Sequence, residues 1–462
     1  MNHEDTTLKR YTLITSASAA FLTPFMGSAL NLAIPSIGRS LNGGAVMLSW
    51  VVSSFLLTTA ALLLPMGRLA DIFGRKKVFL LGIFIFSLFS VLCGFAWSLK
   101  SLIAFRILQA MGGAMMFSTS IAILTSVYPP KERGRVLGIT VASTYTGLSL
   151  GPALGGVLNH QIGWESIFYF TALLGLVTFL FAITKLKGEW ADAKGECFDL
   201  PGAVIFIAGI AATIYGFSSI AASFQAKYLF GAGVILLAIF VRHEAKAPQP
   251  LINVRLFSEN ATFAFSNLAA LINYSATFAL GFLLSLYLQI VRGFDSQIAG
   301  LILLSQPVLM ASLSPFAGRL SDRLEPRLVS SWGMGLTALG LLAFAFIGES
   351  TSIWGIVLVL ILIGVGFALF SSPNTNAVMG SVEKKFYGVA SSALGTMRLL
   401  GQAISMAIST LIIHQYLGDV KLSLASQHAL GKSIGVSFAV FAIICFVGVF
   451  ASLARGNIKV GE

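Results

Sequence analysis

The side chains of this 462-residue chain that could move protons, hold a metal or attack a substrate are few: 18 Asp and Glu, 5 His and 3 Cys. Cys93, Cys197 and Cys445 are scattered and odd in number, which suggests neither a disulfide framework nor a metal site. No Walker-type phosphate loop and no nucleophile elbow occurs. Charge instead concentrates in GRLADIFGRKK at 67–77, which holds Arg68, Asp71, Arg75, Lys76 and Lys77. A weaker copy, GRLSDRLEPR, begins at Gly318, and Gly67, Arg68, Leu69 and Asp71 match Gly318, Arg319, Leu320 and Asp322. The chemistry here is pairing rather than catalysis. Asp71 can sit near a helix N-terminus or pair with a nearby Arg, and an anion at a helix start gains about 0.3–1 kcal/mol. Gly67 and Gly74 permit a tight turn.

Two cations, Arg106 and Arg398, fall inside long apolar runs. An Arg at the centre of a membrane helix costs at least about 2.5–3.5 kcal/mol, so each needs a cavity, a carbonyl or a carboxylate. The carboxylates avoid such depth. Asp71, Asp199, Asp322 and Glu383 fall at one edge of the apolar runs, Glu165, Asp295 and Glu349 at the other, and the remainder in tails and loops. Titratable acids are therefore expected at the rims only, among them Asp71 and Glu165, the latter near His160. Burial would raise the pKa of Glu165.

The elements that position these residues follow from composition. Of the residues, 56% are hydrophobic and 10% charged, against about 25% charged in soluble domains. Spanning about 30 Å of hydrocarbon takes roughly 20 apolar residues as helix. Continuous runs such as VFLLGIFIFSLFSVLCGFAW (78–97) exclude the alternating pattern of a barrel. The apolar stretch after Lys9 and Arg10 continues to about Ile37, too long for a cleaved signal, and reads as a first spanning helix. The expected fold is an all-α integral membrane protein with 14 transmembrane helices and both termini cytoplasmic. Helices are predicted near 12–36, 46–66, 78–97, 101–127, 136–158, 167–184, 201–221, 228–242, 261–290, 297–317, 328–347, 353–376, 388–413 and 433–454. With that topology, 22 of the 30 Lys and Arg are cytoplasmic and 6 face outward, as the positive-inside rule requires. The net charge of +12 thus reflects orientation, with attraction to anionic lipid second, and implies no nucleic-acid partner. The repeated loop divides the chain into a six-helix bundle at 12–185, two extra helices at 200–243 and a second six-helix bundle at 260–455, the bundles forming a pseudo-twofold repeat.

Several stretches resemble the major facilitator superfamily. GRLADIFGRKKVFLLG (67–82) resembles its loop signature after helix two, RILQAMGGA (106–114) its fourth-helix motif, and GLSLGPALGG (147–156) its fifth-helix antiporter motif. SWVVSSFLL (49–57), FDLPG (198–202), PLINVRLF (250–257) and YLQ (287–289) resemble its 14-helix drug:proton antiporter branch. The resemblance covers about residues 12 to 455. It implies a secondary transporter of small molecules, not an enzyme, in a prokaryotic cell membrane. A proton gradient would be its energy source, with no cofactor and no metal; a monomer among membrane lipid is expected. It implies a conformational latch of Gly67, Asp71, Gly74, Arg75 and Asp322, and a hinge of Gly147, Gly151, Pro152, Gly155 and Gly156. Arg106 joins Asp71 and Glu165 as a proton-coupling candidate.

One departure bears on substrate. The branch usually carries an Asp five residues before Asn31, where this chain has Met26. Without a midplane carboxylate, neutral, zwitterionic or anionic substrates are favoured over cations, anions through Arg106 or Arg398. Polar side chains at lipid depth face the bundle interior. The cavity candidates are Met26, Asn31, Gln109, Asn267, Asn273, Tyr274, Gln306, Asn374, Arg398 and Gln402, with Asn376 beside them. The expected function is proton-coupled efflux of small lipophilic compounds. The alternative is a metabolite or organic-anion carrier, or a facilitator, not coupled to protons.

Overall fold

Backbone groups in lipid must bond within their own segment, so apolar runs of this length fold as helices. In a computed structural model, residues 3–220, 223–252, 254–382, 387–418 and 427–455 are described, and among them no β-strand occurs. The first set of helices is α1 (His3–Ser40), α2 (Ala45–Phe73), α3 (Arg75–Gly94), α4 (Leu99–Val127), α5 (Pro130–Gln161) and α6 (Glu165–Lys185). A pair follows, α7 (Leu200–Ser218) and α8 (Phe224–Glu244), and then the short α9 (Arg255–Glu259). The second set is α10 (Ala261–Thr277) with its continuation α11 (Leu280–Leu286), α12 (Ser296–Arg323), α13 (Pro326–Ala345), α14 (Ile353–Gly380), α15 (Tyr387–Leu417) and α16 (Gln427–Leu453).

Thirteen stretches of the described residues are long and apolar enough to cross a membrane. The expected helix that is not among them is α5. It has 32 residues, ample length at 1.5 Å per residue. Thr140, Ser143, Thr144, Thr146, Ser149 and its glycines lower its apolarity. A second difference lies in 261–290, which reads as one apolar helix. The structure breaks it at Phe278–Ala279 and ends it in a π-helical turn, Tyr287–Val291. The Ala279 N–H donates to the Ser405 hydroxyl on α15 (3.0 Å). Apolarity along the chain carries no record of such a partner.

The two sets pack by one scheme. In the first, α1 lies on α5 and α6, α2 on α4, and α3 on α4 and α6. In the second, α10 lies on α15 and α16, α12 on α14, and α13 on α14 and α16. Between the sets the matching seams are α5 against α12 and α2 against α15. α7 touches both α2 and α15, so the extra pair flanks the second seam. Turns 41–44, 95–98, 161–164 and 292–295 lie at one end of the molecule, here the far end. Residues 67–77, 186–199 and 324–325 lie at the other, the basic end.

Proline shapes the seams. Without an N–H it leaves the carbonyl four residues earlier without its helical donor. Three such carbonyls are bonded by hydroxyls from neighbouring helices. Pro24 frees Ala20 O, taken by Thr144 (3.4 Å); Pro152 frees Leu148 O, taken by Ser28 (3.1 Å); Pro35 frees Asn31 O, taken by Ser285 (2.6 Å). The first two tie α1 to α5. The third crosses between the sets.

Candidate functional site at the seam between the bundles

At the far end the two sets are bonded closed. Besides the Ser285 bond to Asn31 O, Gln289 donates to Leu32 O (3.1 Å), Ser296 to Gly156 O (3.1 Å) and Thr410 to Ser49 (2.9 Å). Backbone meets backbone where glycines allow it: a Cβ at Gly156 would lie 2.6 Å from Ser296 O, and one at Gly300 would run into Pro152 O. The remaining hinge glycines face the other way. A Cβ at Gly147, Gly151 or Gly155 would stand 2.6 Å from Phe21 O, Ser28 Cβ or Ala29 Cβ of α1. The stretch 147–156 thus holds α5 to α1 on one face and to α12 on the other. A cleft of about 350 Å³ at the mouth of this seam is lined by Arg39, His160, Gln289 and Asp295, among others.

Deeper in, one polar and aromatic cluster joins the sets. Tyr145 of α5 donates to Ser371 of α14 (3.0 Å) and packs with Met310, Phe367 and Tyr274. Tyr274 meets Phe367 edge-on at 5.3 Å. Arg398 of α15 lies over the Tyr274 ring (5.7 Å) and donates through Nη2 to Thr375 Oγ1 (2.7 Å). One turn away, a Cβ at Gly395 would touch Phe117 of α4 at 2.9 Å, so this face of α15 looks into the seam. Among the described residues Arg398 has no carboxylate partner, and its buried Nε is unbonded. Toward the basic end no hydrogen bond joins the two sets among the described residues.

Arg106 occupies a different place. It is 1% exposed, inside the first set. Its Nε donates to Val51 O (3.1 Å), Nη1 donates to Gln109 Oε1 (2.5 Å), and the guanidinium lies over Phe55 at 4.2 Å. Gln109 passes the network on to Ser90 of α3 (2.5 Å). Arg106 does not snorkel; a carbonyl, an amide and an aromatic face hold it, and no carboxylate does among the described residues.

The stretch 67–77, read from the sequence as a loop, is the last turns of α2, Gly74 and the first turn of α3, and the linker that follows α6 engages it. Gly74 has φ 116°, a conformation natural to glycine, and a Cβ there would lie 2.6 Å from the Glu189 carboxylate. The Arg75 side chain bonds Asp71 within the loop, Asp192 of the linker (2.8 Å) and Ser126 of α4 (2.7 Å). The Arg75 N–H donates to Trp190 O (2.8 Å), the Lys76 N–H to Glu189 (2.8 Å) and the Ala193 N–H to Asp71 O (3.0 Å); Arg68 pairs with Glu196. Gly67 faces Ser118 of α4. Asp322 lies in α12, and its side chain falls outside the described residues.

The other candidates divide by position. Asn31 sits on the closed seam through its carbonyl. Gln306 and Gln402 are part-exposed, and Asn376 is exposed and bonds Ser321 (2.8 Å). Met26 is buried, and its sulfur accepts from Thr171 of α6 (3.3 Å). Asn267, Asn273 and Asn374 are buried; Asn267 bonds Phe263 O (2.9 Å), while both amide atoms of Asn273 and the Asn374 Oδ1 are unbonded. Glu165 is part-buried as the first residue of α6, just beyond Gly163 at φ 118°. Sequence reasoning passed over Tyr145, Ser285, Thr375 and the acids Glu189, Asp192 and Glu196. The proline rule was an available signal for the carbonyls at 20, 31 and 148, though not for the donors that reach them. Among the described residues no group of three His, Cys, Asp or Glu could hold a metal.

Comparison with known proteins gives this geometry a family. The chain is 27% identical over 441 residues to the riboflavin transporter RibZ of Clostridioides difficile, covering 96% of each. It is 31% identical over 407 residues to the multidrug resistance protein Stp of Mycobacterium tuberculosis, covering 86% of this chain and 74% of Stp. Its fold matches, with TM-score 0.71 at 16% identity and 97% coverage of both chains, the crystal structure of a bacterial homolog of the human lysosomal transporter Spinster. The model of the Major Facilitator Superfamily matches residues 16–241 and 266–458. The chain belongs to that superfamily: it is a multi-pass membrane transporter and not an enzyme.

Proposed function

We propose that the protein exports small lipophilic compounds across a prokaryotic cell membrane by alternating access, exchanging them for protons. It does so with fourteen spanning helices, α5 included, and both termini in the cytoplasm. The observation that carries this reading is the asymmetry of the seam. The far end is bonded closed, while toward the basic end no bond joins the bundles among the described residues, and part-exposed Arg398, Tyr274 and Gln402 lie between. With the basic end in the cytoplasm, we read this as an inward-facing arrangement. Rocking of the bundles would break the far-end bonds and close the basic end, with loop 67–77 as the latch. The name of Stp supports a multidrug substrate range.

Coupling is assigned to the rims. No Asp or Glu lies at mid-helix depth among the described residues, so the candidates are acids at the rims, Asp71 near the end of α2 and Glu165 at the head of α6. A second reading, a metabolite or organic-anion carrier without proton coupling, is favoured by that same acid-free interior and by the name of RibZ. Flux in proteoliposomes with an imposed pH gradient separates the two. Efflux that rises with the gradient and falls when an ionophore collapses it supports the exchanger; flux indifferent to the gradient sinks it.

A further inference from the structure

We propose that Arg398 is the docking point for a carboxylate on the transported molecule, with Tyr274 and Phe367 holding a flat apolar body beside it. This rests on the reading of the seam as the transport path. Arg398 lies eleven residues inside α15, yet its side chain is part-exposed rather than sealed. That exposure is not to lipid. Tyr274 of α10 covers one side, Thr375 of α14 binds Nη2, and Gly395, one turn away on the same face, abuts Phe117 of the opposite bundle. Tyr145, also from the opposite bundle, packs in one cluster with Tyr274.

The donors are disposed for an anion. Thr375 gives its own proton to Ser371 O (2.8 Å) and so accepts from Arg398. Nε has no acceptor although it is buried, and Nη1 has no bond among the described residues. A guanidinium presents donors in a fixed planar fork that a carboxylate fits with two parallel bonds. Every other Arg in an ion pair among the described residues lies at a loop or helix end, and Arg106 is already bonded and capped by Phe55. Among the described residues Arg398 joins a charge without a carboxylate partner to access from the seam at mid-helix depth; Arg39, also without an ion pair, lies at the mouth of the seam. The neighbouring rings offer faces and edges for an aromatic body.

The test is equilibrium binding to the purified full chain in detergent, read by fluorescence anisotropy at pH 8. The probes are fluorescein, which carries a carboxylate, and rhodamine 6G, which has the same ring system, a positive charge and no free carboxylate. Fluorescein is expected to bind at least tenfold tighter. Arg398→Gln is expected to lose at least tenfold in fluorescein affinity, and Arg398→Lys to keep part of it, with thermal melting of each variant recorded. No fluorescein binding, equal affinity for the two probes, or a folded Arg398→Gln with unchanged affinity would each overturn the proposal. The wild-type preference decides even if a variant does not fold. Arg398-dependent binding without flux in proteoliposomes would refute the exporter and leave the subsite standing; gradient-driven flux of rhodamine 6G without fluorescein binding would do the reverse.

Discussion

Arg106 and Arg398 have the same side chain and the same apolar sequence surroundings, and the structure gives them opposite environments. Arg106 is sealed, its guanidinium held by Val51 O, Gln109 and the Phe55 ring. Its replacement by Leu leaves the Gln109 amide oxygen buried without the Arg106 donor, while Val51 O keeps its helical N–H partner. The expected cost is about 1–3 kcal/mol, read as a lower melting temperature in detergent. Asp71 differs again: it holds Arg75 from within the loop. Asp71→Asn is expected to cut flux at least fivefold while expression and melting hold. Unchanged flux would remove Asp71 from the latch.

At the scale of elements, α5 is joined to α1 by a bond that proline makes available. Pro152 cannot donate to Leu148 O, and Ser28 does so instead. Ser28→Ala is expected to cost about 1 kcal/mol in the wild type and almost nothing in Pro152→Ala, where residue 152 regains an N–H. A double-mutant cycle on melting checks this, and equal costs in both backgrounds would sink it. The linker makes a second element-level contact. Its pairing of Asp192 with Arg75 involves a largely exposed acid, and exposed pairs contribute about 0–1 kcal/mol. Asp192→Asn is therefore expected to change flux less than twofold. Backbone bonds from Arg75 to Trp190 and from Ala193 to Asp71 hold the linker to the loop without it.

At the scale of the whole molecule, the packing scheme of α1–α6 recurs in α10–α16, and the seams between the sets also correspond. On the mechanism proposed above, that symmetry would let the two bundles rock against each other. The closed end depends on glycine: a Cβ at Gly300 would run into Pro152 O and lie 3.0 Å from Leu32 Cδ1. Gly300→Ala is expected to wedge the far end open. Flux should fall, and a cysteine placed at Asn31 should react faster with a membrane-impermeant thiol reagent. Unchanged labelling would show that the seam closes without this contact.

The helices, their order and the two-bundle repeat were legible in the sequence, because apolar run length, turn residues and charge are local properties of a chain. Local reading also explains two differences: hydroxyls and glycines lower the apolarity of α5, which the structure nonetheless forms as a helix, and a Ser405 hydroxyl 126 residues away binds where 261–290 is interrupted. The loop, the hinge stretch, Arg106 and Arg398 stood out as residue types in unusual places. Which of them meet was decided only by tertiary structure. Whether an Arg is sealed like Arg106 or open like Arg398 depends on Phe55, Tyr274 and Thr375, which lie on other helices. The linker acids that hold loop 67–77 lie more than a hundred residues further along the chain. Sequence determines which groups must escape lipid; packing decides which partner each one finds.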